Sequence, residues 1–334
     1  MNINELNIEV SDNGRGYTLC EGYEFKTLTH PATIKDAIVI KNPPNVTCWT
    51  PSILITGQSL SEQIEFVNRH KLEKAIVVAE NISFLKQCPT FKYLKVIPSD
   101  NAGNNFDFSP LYDLPEIKSL ECATQYGRRE EFSSQLDYAR IKGLEELTID
   151  GNGHHNFHHF NQLKSLRISG NQDSDVMRMF SSEILDTLWI TQCKIRSLEG
   201  IQKSKRMQCL YLAYNRTLSD ISALRDVKDT IKLLRIENCA KIKDFSVLTE
   251  LHHLELLQLS GSNELESLAF LKSLPNLRFF ACDMNILDGD LTPCLNLSYV
   301  GIKKRKHYNL DPNQFSRKVT LRGNESIELW RRME

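Results

Sequence analysis

The chain has 334 residues, of which 41% are hydrophobic and 25% charged, and its formal net charge is −1. That length holds two ordinary domains or one extended repeat array. The near-neutral balance speaks against a whole-molecule field that attracts nucleic acid or an anionic membrane, and no run of about 18 apolar residues is present to span a bilayer.

In chain order, the first residues (MNINELNIE) show neither a basic nor an apolar leader segment, so no secretory signal is expected and a cytoplasmic location is. Residues 1–33 carry no repeat and are expected to form an N-terminal cap. From about residue 34 apolar residues begin to recur. A strand through Ile38 and Ile40, another around Ile53 and Ile55, then LEKAIVVAE at 72, FKYLKVIPS at 91 and IKSLECATQ at 117 fit one shape. The shape sharpens from residue 144: LEELTIDGN, LKSLRISGN at 163, LDTLWITQC at 185 and MQCLYLAYN at 207. It continues as IKLLRIENC at 231, LELLQLSGS at 254, LRFFACDMN at 277 and LSYVGIKKR at 297. These starts are 19, 22, 22, 24, 23, 23 and 20 residues apart. LxxLxLxxN/C at that period is the strand signature of leucine-rich repeats. About eleven or twelve coils are expected over 34–305, clearest over 91–305, with 306–334 as a C-terminal cap or tail.

The spacing dictates the architecture. Apolar side chains at the first, fourth and sixth positions cannot be buried by one coil alone, so neighbouring coils must stack on a common core. The expected fold is an α/β solenoid: an arc with a parallel β-sheet on its concave face and 3₁₀, short helical or irregular convex segments. The ninth position carries Asn152, Asn171, Asn215 and Asn285, replaced by Cys193 and Cys239 in two coils. There it is expected to bond buried backbone. Cys122 and Cys282 fall on inward positions and are expected in the core. With nine scattered cysteines and no CxxC, reduced structural thiols are expected.

The return segments IRSLEGIQKS at 195, LSDISALRDV at 218, IKDFSVLTEL at 242, LESLAFLKSL at 265 and FDFSPLYDL at 106 resemble those of bacterial internalin-type repeats over about residues 91–305. The resemblance implies a bacterial leucine-rich-repeat protein with short 3₁₀ convex turns. Unlike internalins, the chain is expected to carry no signal peptide and no wall anchor.

Strand side chains alternate, so the third, fifth and seventh positions of each coil face away from the core. Arg167, Trp189, Tyr211 and Arg235 then form one outward row, and Leu233, Leu256, Phe279 and Tyr299 an adjacent exposed apolar row. Trp, Tyr and Arg together have the composition of an interface hot spot, and a contiguous exposed apolar row marks a contact site. These eight residues are the candidate binding site for a protein partner. Two finer readings share this surface: an immunity or antitoxin-like inhibitor of a bacterial toxin, and an exported effector that binds a host protein.

Other constellations support less. His154, His155, His158 and His159 in GNGHHNFHHF have no Cys nearby and two glycines before them, which reads as a polar loop rather than a metal site. The run Lys303–His307 could meet nucleic acid but reads as a solvated edge. Glu130 and Glu131 beside Arg128 and Arg129 compensate one another in a loop. No Gly-rich phosphate loop, GxSxG or HExxH occurs. Neither an enzyme, a cofactor, a metal, a small-molecule substrate nor a membrane is expected.

Overall fold

A computed structural model describes residues 17–21, 24–28, 38–40, 52–55, 60–99, 102, 106–122, 136–150, 161–171 and 182–315. The histidine-rich segment 151–160, Asn152, the Arg128–Glu131 group and Trp330 lie outside them. The chain divides into two compact units, residues 1–157 and 158–334.

In the first unit a hairpin of β1 (Tyr17–Glu21) and β2 (Glu24–Leu28) precedes β3 (Ile38–Ile40), β4 (Ser52–Ile55), β5 (Lys74–Ala79), β6 (Tyr93–Pro98), β7 (Ser119–Cys122) and β8 (Glu146–Asp150). From β4 to β8 the strands pair in parallel, one per coil. The expected first rung, β3, instead pairs antiparallel with β4. The connection between β4 and β5 is α1 (Leu60–His70), an 11-residue helix. Later connections shrink to 3₁₀ turns at Ser83–Gln87, Ser109–Asp113 and Tyr138–Arg140.

The second unit contains β9 (Ser165–Ser169), β10 (Thr187–Thr191), β11 (Cys209–Ala213), β12 (Leu233–Glu237), β13 (Leu256–Ser260), β14 (Glu264–Leu265), β15 (Phe279–Cys282), β16 (Asn285–Ile286) and β17 (Tyr299–Ile302). The long rungs β9, β10, β11, β12, β13, β15 and β17 pair in parallel in that order. β14 and β16 form a separate two-stranded parallel sheet just beyond the turn. The fold is a leucine-rich-repeat solenoid with a parallel sheet and short 3₁₀ returns.

Each rung buries the apolar set its sequence supplies. Leu185, Leu188 and Ile190 are sealed, as are Met207, Leu210 and Leu212, and Leu254, Leu257 and Leu259. A rung side chain stacks on its equivalents about 4.8 Å away on either side, and that stacking makes one core from coils that have none alone.

The turn after the strand is equally regular. The eighth residue of five successive coils is left-handed: Gly170, Gln192, Tyr214, Asn238 and Gly261. Its N–H reaches the next coil: Gly170 donates to the Thr191 carbonyl (2.8 Å), Gln192 to Ala213 (2.9 Å), Tyr214 to Glu237 (2.8 Å) and Asn238 to Ser260 (2.8 Å). Gly261 donates to the Asp283 side chain instead, at 2.8 Å.

The ninth residue then satisfies buried backbone. Asn215 Nδ2 donates to the Ile190 carbonyl and its Oδ1 accepts from the Cys193 N–H, both at 2.9 Å. Where cysteine stands, its thiol faces the same kind of partner: Cys193 Sγ lies 3.9 Å from the Ile168 carbonyl and Cys239 Sγ 3.8 Å from Leu212. Asn285 departs from expectation. It lies in β16, half-exposed, bonded to Glu264. The interior role falls one place later in the preceding coil, to Asn263, which is buried and donates to the Cys239 and Ile242 carbonyls.

Four of the 3₁₀ returns open on an aspartate side chain. Asp107, Asp220, Asp244 and Asp290 accept from the N–H two residues on, at 2.8 to 3.0 Å. These are the D-x-S and D-x-T pairs of the return segments, a local bond that favours a turn over a longer helix.

Candidate functional site

All eight candidate residues lie on the second unit, on the sheet face away from the main core. The register aligns them as the spacing requires. Arg167 pairs with Trp189, Trp189 with Tyr211 and Tyr211 with Arg235. Leu233 pairs with Leu256, Leu256 with Phe279 and Phe279 with Tyr299.

The first row is a stacked ladder. The Arg167 guanidinium lies 4.2 Å from the centre of the Trp189 ring. Trp189 meets Tyr211 edge to face, with centroids 4.7 Å apart and planes at 72°. Arg235 lies 4.6 Å over the far side of Tyr211. Arg167 is exposed, Trp189 and Tyr211 are half-buried, and Arg235 is buried at 3% exposure. Cation and ring meet here because adjacent parallel strands place equivalent side chains within reach, and the negative ring face attracts the guanidinium.

Glu237 ties the end of the ladder. It accepts from the Tyr211 hydroxyl at 2.8 Å and the Tyr214 hydroxyl at 3.0 Å, and it pairs with Arg235 at 3.4 Å. Burial, followed by the bond to Glu237, holds the Tyr211 hydroxyl protonated well above the usual tyrosine range. Tyr214 is 44% exposed. The outward alternation did not single it out, because the eighth residue lies past the strand. Gly170 and Gly261, at the same place two coils to either side, were the available signal, marking a left-handed position where tyrosine is unusual.

The second row corrects an expectation. Leu233, Leu256 and Phe279 do face away from the main core, but they are not exposed; each is 1% accessible. They form a small second core with Trp189, Cys209 and Tyr299 packed against it, and Phe279 stacks on Tyr299 with centroids 4.4 Å apart and planes within 6°. Gln258 and Ala281 in the adjacent row are buried too. Alternation fixes the direction of a side chain, whereas its exposure depends on the bulk of the neighbours. Four large apolar side chains in one row close over one another. The accessible part of the candidate site is therefore Arg167, Trp189, Tyr211 and Tyr299, resting on Leu233, Arg235, Leu256 and Phe279.

The corresponding face of the first unit is different in kind. Lys95 and Glu121 pair at 2.7 Å, and the Lys74 ammonium lies 5.0 Å from the Tyr93 ring. Those charges are answered within the sheet.

The basic run is largely occupied by its own chain. Lys304 pairs with Asp311 at 2.7 Å, Arg305 donates to the Asp283 carbonyl at 3.0 Å, and His307 bonds the Ile286 carbonyl at 2.8 Å. Cys88, Cys122, Cys193, Cys209, Cys239, Cys282 and Cys294 are free, and all of them but the half-buried Cys209 are buried. Desolvation pushes the thiols of Cys88 and Cys239 up to about 11 and those of Cys282 and Cys294 up to about 12, so they stay protonated and unreactive at neutral pH. Among the described residues no cluster of three or more His, Cys, Asp or Glu could hold a metal, and no helix is long and apolar enough to cross a membrane.

By fold the chain is a leucine-rich-repeat solenoid, and the sheet face away from the core of its second unit carries an aromatic and cationic ladder. No protein-family model and no curated protein matches the chain. Among solved structures, an internalin from Listeria monocytogenes is similar at 17% identity and a TM-score of 0.49, over 76% of this chain and 87% of that one. The leucine-rich-repeat ectodomain of a plant membrane receptor kinase from Arabidopsis thaliana aligns at 16% identity and a TM-score of 0.25, over 69% of this chain and 40% of that one.

Proposed function

We propose that the chain is a non-enzymatic interaction module that binds a protein partner on the sheet face of its second unit, the face expected to be concave. Arg167, Trp189, Tyr211 and Tyr299 make the contacts. Leu233, Arg235, Leu256 and Phe279 hold them rigid from beneath. The observation that carries this reading is the Arg167–Trp189–Tyr211–Arg235 ladder. The solenoid's interior is already filled by another set of residues, yet two large aromatics stand half-open between two arginines. Such anchors immobilised before binding lose little freedom when a partner arrives, and a wide sheet face suits a folded protein rather than a small molecule. Bacterial origin, toxin inhibition and host-directed binding are finer forms of the same proposal.

The test uses Arg167→Ala with Trp189→Ala, chosen because both side chains reach solvent. Affinity capture from the native cell should lose its specific partner, with binding to that partner weakened by about tenfold or more. A folded double variant that retains every partner counts against the surface. Capture of a toxin favours the immunity reading, and capture of a host protein favours the effector.

A further inference from the structure

The flank of the second unit, where the chain leaves the strands, carries charge in a pattern independent of the proposed binding face. Buried Ile195, Leu218, Ile242, Leu265 and Ile286 mark the same inward position on five consecutive coils. The first two coils are joined there by the bond from Ser219 N–H to the Arg196 carbonyl (3.0 Å) and the Ser197–Asp220 bridge, the last two by the β14–β16 pairing and the bond from Asp288 N–H to Glu266 (3.2 Å), and the third to the fourth by the Asn263 amide, which donates to the Ile242 carbonyl at 2.6 Å. The residues on either side of each inward position therefore form outward rows.

One row runs Lys194, Thr217, Lys241, Glu264, Asn285; the other runs Arg196, Ser219, Lys243, Glu266, Leu287. Arg216 lies just before the first row and Asp288 just after the second. The charges within the two rows are thus basic over three coils and acidic over the next two; Asp220 and Asp244, which follow the second row, are turned to the N–H groups of Ser222 and Ser246. Lys194, Arg196, Arg216, Lys241, Lys243, Glu264, Glu266 and Asp288 are all exposed. None of the five cations forms a side-chain ion pair among the described residues. Lys241 and Lys243 form no ion pair with the glutamates of the next coil. Glu264 is turned to Asn285, accepting its amide at 3.1 Å.

A purely basic strip would fit any polyanion. This one ends abruptly in an acidic block, which would repel a polyanion laid along it. We propose that the flank is an interface with a second copy of this chain. A two-fold axis normal to the flank, at the centre of the Lys241, Lys243, Glu264, Glu266 square, inverts both the order of the coils and the order of the rows. It sets Lys241 opposite Glu266 of the other copy, Lys243 opposite Glu264, and Arg216 opposite Asp288. It also brings Leu287, 50% exposed, over Thr217. Every charge in the central four coils' outward rows meets its opposite, and the symmetry makes each pairing occur twice.

Sedimentation equilibrium of the full chain tests this. At about 0.02 M salt a monomer–dimer equilibrium is expected, and it should shift strongly toward monomer at about 1 M, where the screening length falls to about 3 Å. Lys241→Glu with Lys243→Glu should weaken the dimer by at least about tenfold, and so should Glu264→Lys with Glu266→Lys. All four positions are exposed, so each variant should keep the wild-type circular dichroism. Mixing the two variants should restore a dimer, now made of one chain of each, because all four central pairings are again between opposite charges. A wild-type chain that stays monomeric at low salt, or a mixture of folded variants that fails to associate, overturns the proposal. So does heparin binding through the lysines without self-association.

Discussion

Asn215 is one side chain that holds two coils together. Its amide spans the Ile190 carbonyl and the Cys193 N–H, and both bonds are buried. Asn215→Ala would leave both unmet, at about 1–3 kcal/mol for each buried group; the midpoint of urea unfolding should drop accordingly. Gln192 offers the opposite case. Its left-handed backbone, at a φ of 56°, costs about 1–2 kcal/mol for a side-chain-bearing residue, part of which glycine would give back in unfolded-state entropy. Gln192→Gly should raise stability by up to about 1 kcal/mol in the same titration. The ninth position was legible from the repeat alone at Asn215, Cys193 and Cys239. It was misplaced at Asn285 because a one-residue slip in the turn moves the amide from interior to edge, and the sequence pattern does not show where the slip occurs.

At the scale of the strand and its return turn, the outward row of β12, β13 and β15 behaves as core. Leu256→Ala is expected to cost about 2–4 kcal/mol, measured by denaturant unfolding. A loss below about 0.5 kcal/mol, normal for an open surface position, would show that the row is open after all. The return turns depend on aspartate caps. The Asp220, Asp244 and Asp290 carboxyls sit below the ordinary value of 3.8, chiefly because the backbone N–H of Ser222, Ser246 and Thr292 respectively bonds the charged form. A depressed folded value means that this stabilisation is fully present above pH 3.8 and is lost as pH falls through the lower folded values. Stability should therefore decline with acid below that point, and less steeply in Asp220→Ala or Asp290→Ala, as followed by thermal unfolding across a pH series. The D-x-S spacing carries the signal for these caps, since the bond spans only two residues, but the apolar pattern from which the coils were read does not use it. α1 and the antiparallel β3 were not legible, because neither breaks the apolar spacing from which the rungs were read.

Across the second unit, rungs touch only their neighbours, so protection should fall from the middle outward. Amides of β11, β12 and β13, each paired on both sides, should exchange with deuterium more slowly than those of β17, which pairs with β15. Apolar spacing along the chain determined the coil period and, within the strands, which residues point inward and which outward, because a strand's two-residue alternation and the need of each coil for a neighbour leave no other packing. Tertiary structure alone decided which outward residues are accessible. That depends on the bulk of side chains some twenty residues away in sequence and one rung away in space, and it buried Leu233, Leu256 and Phe279 while leaving Trp189 and Tyr211 half-open between their arginines.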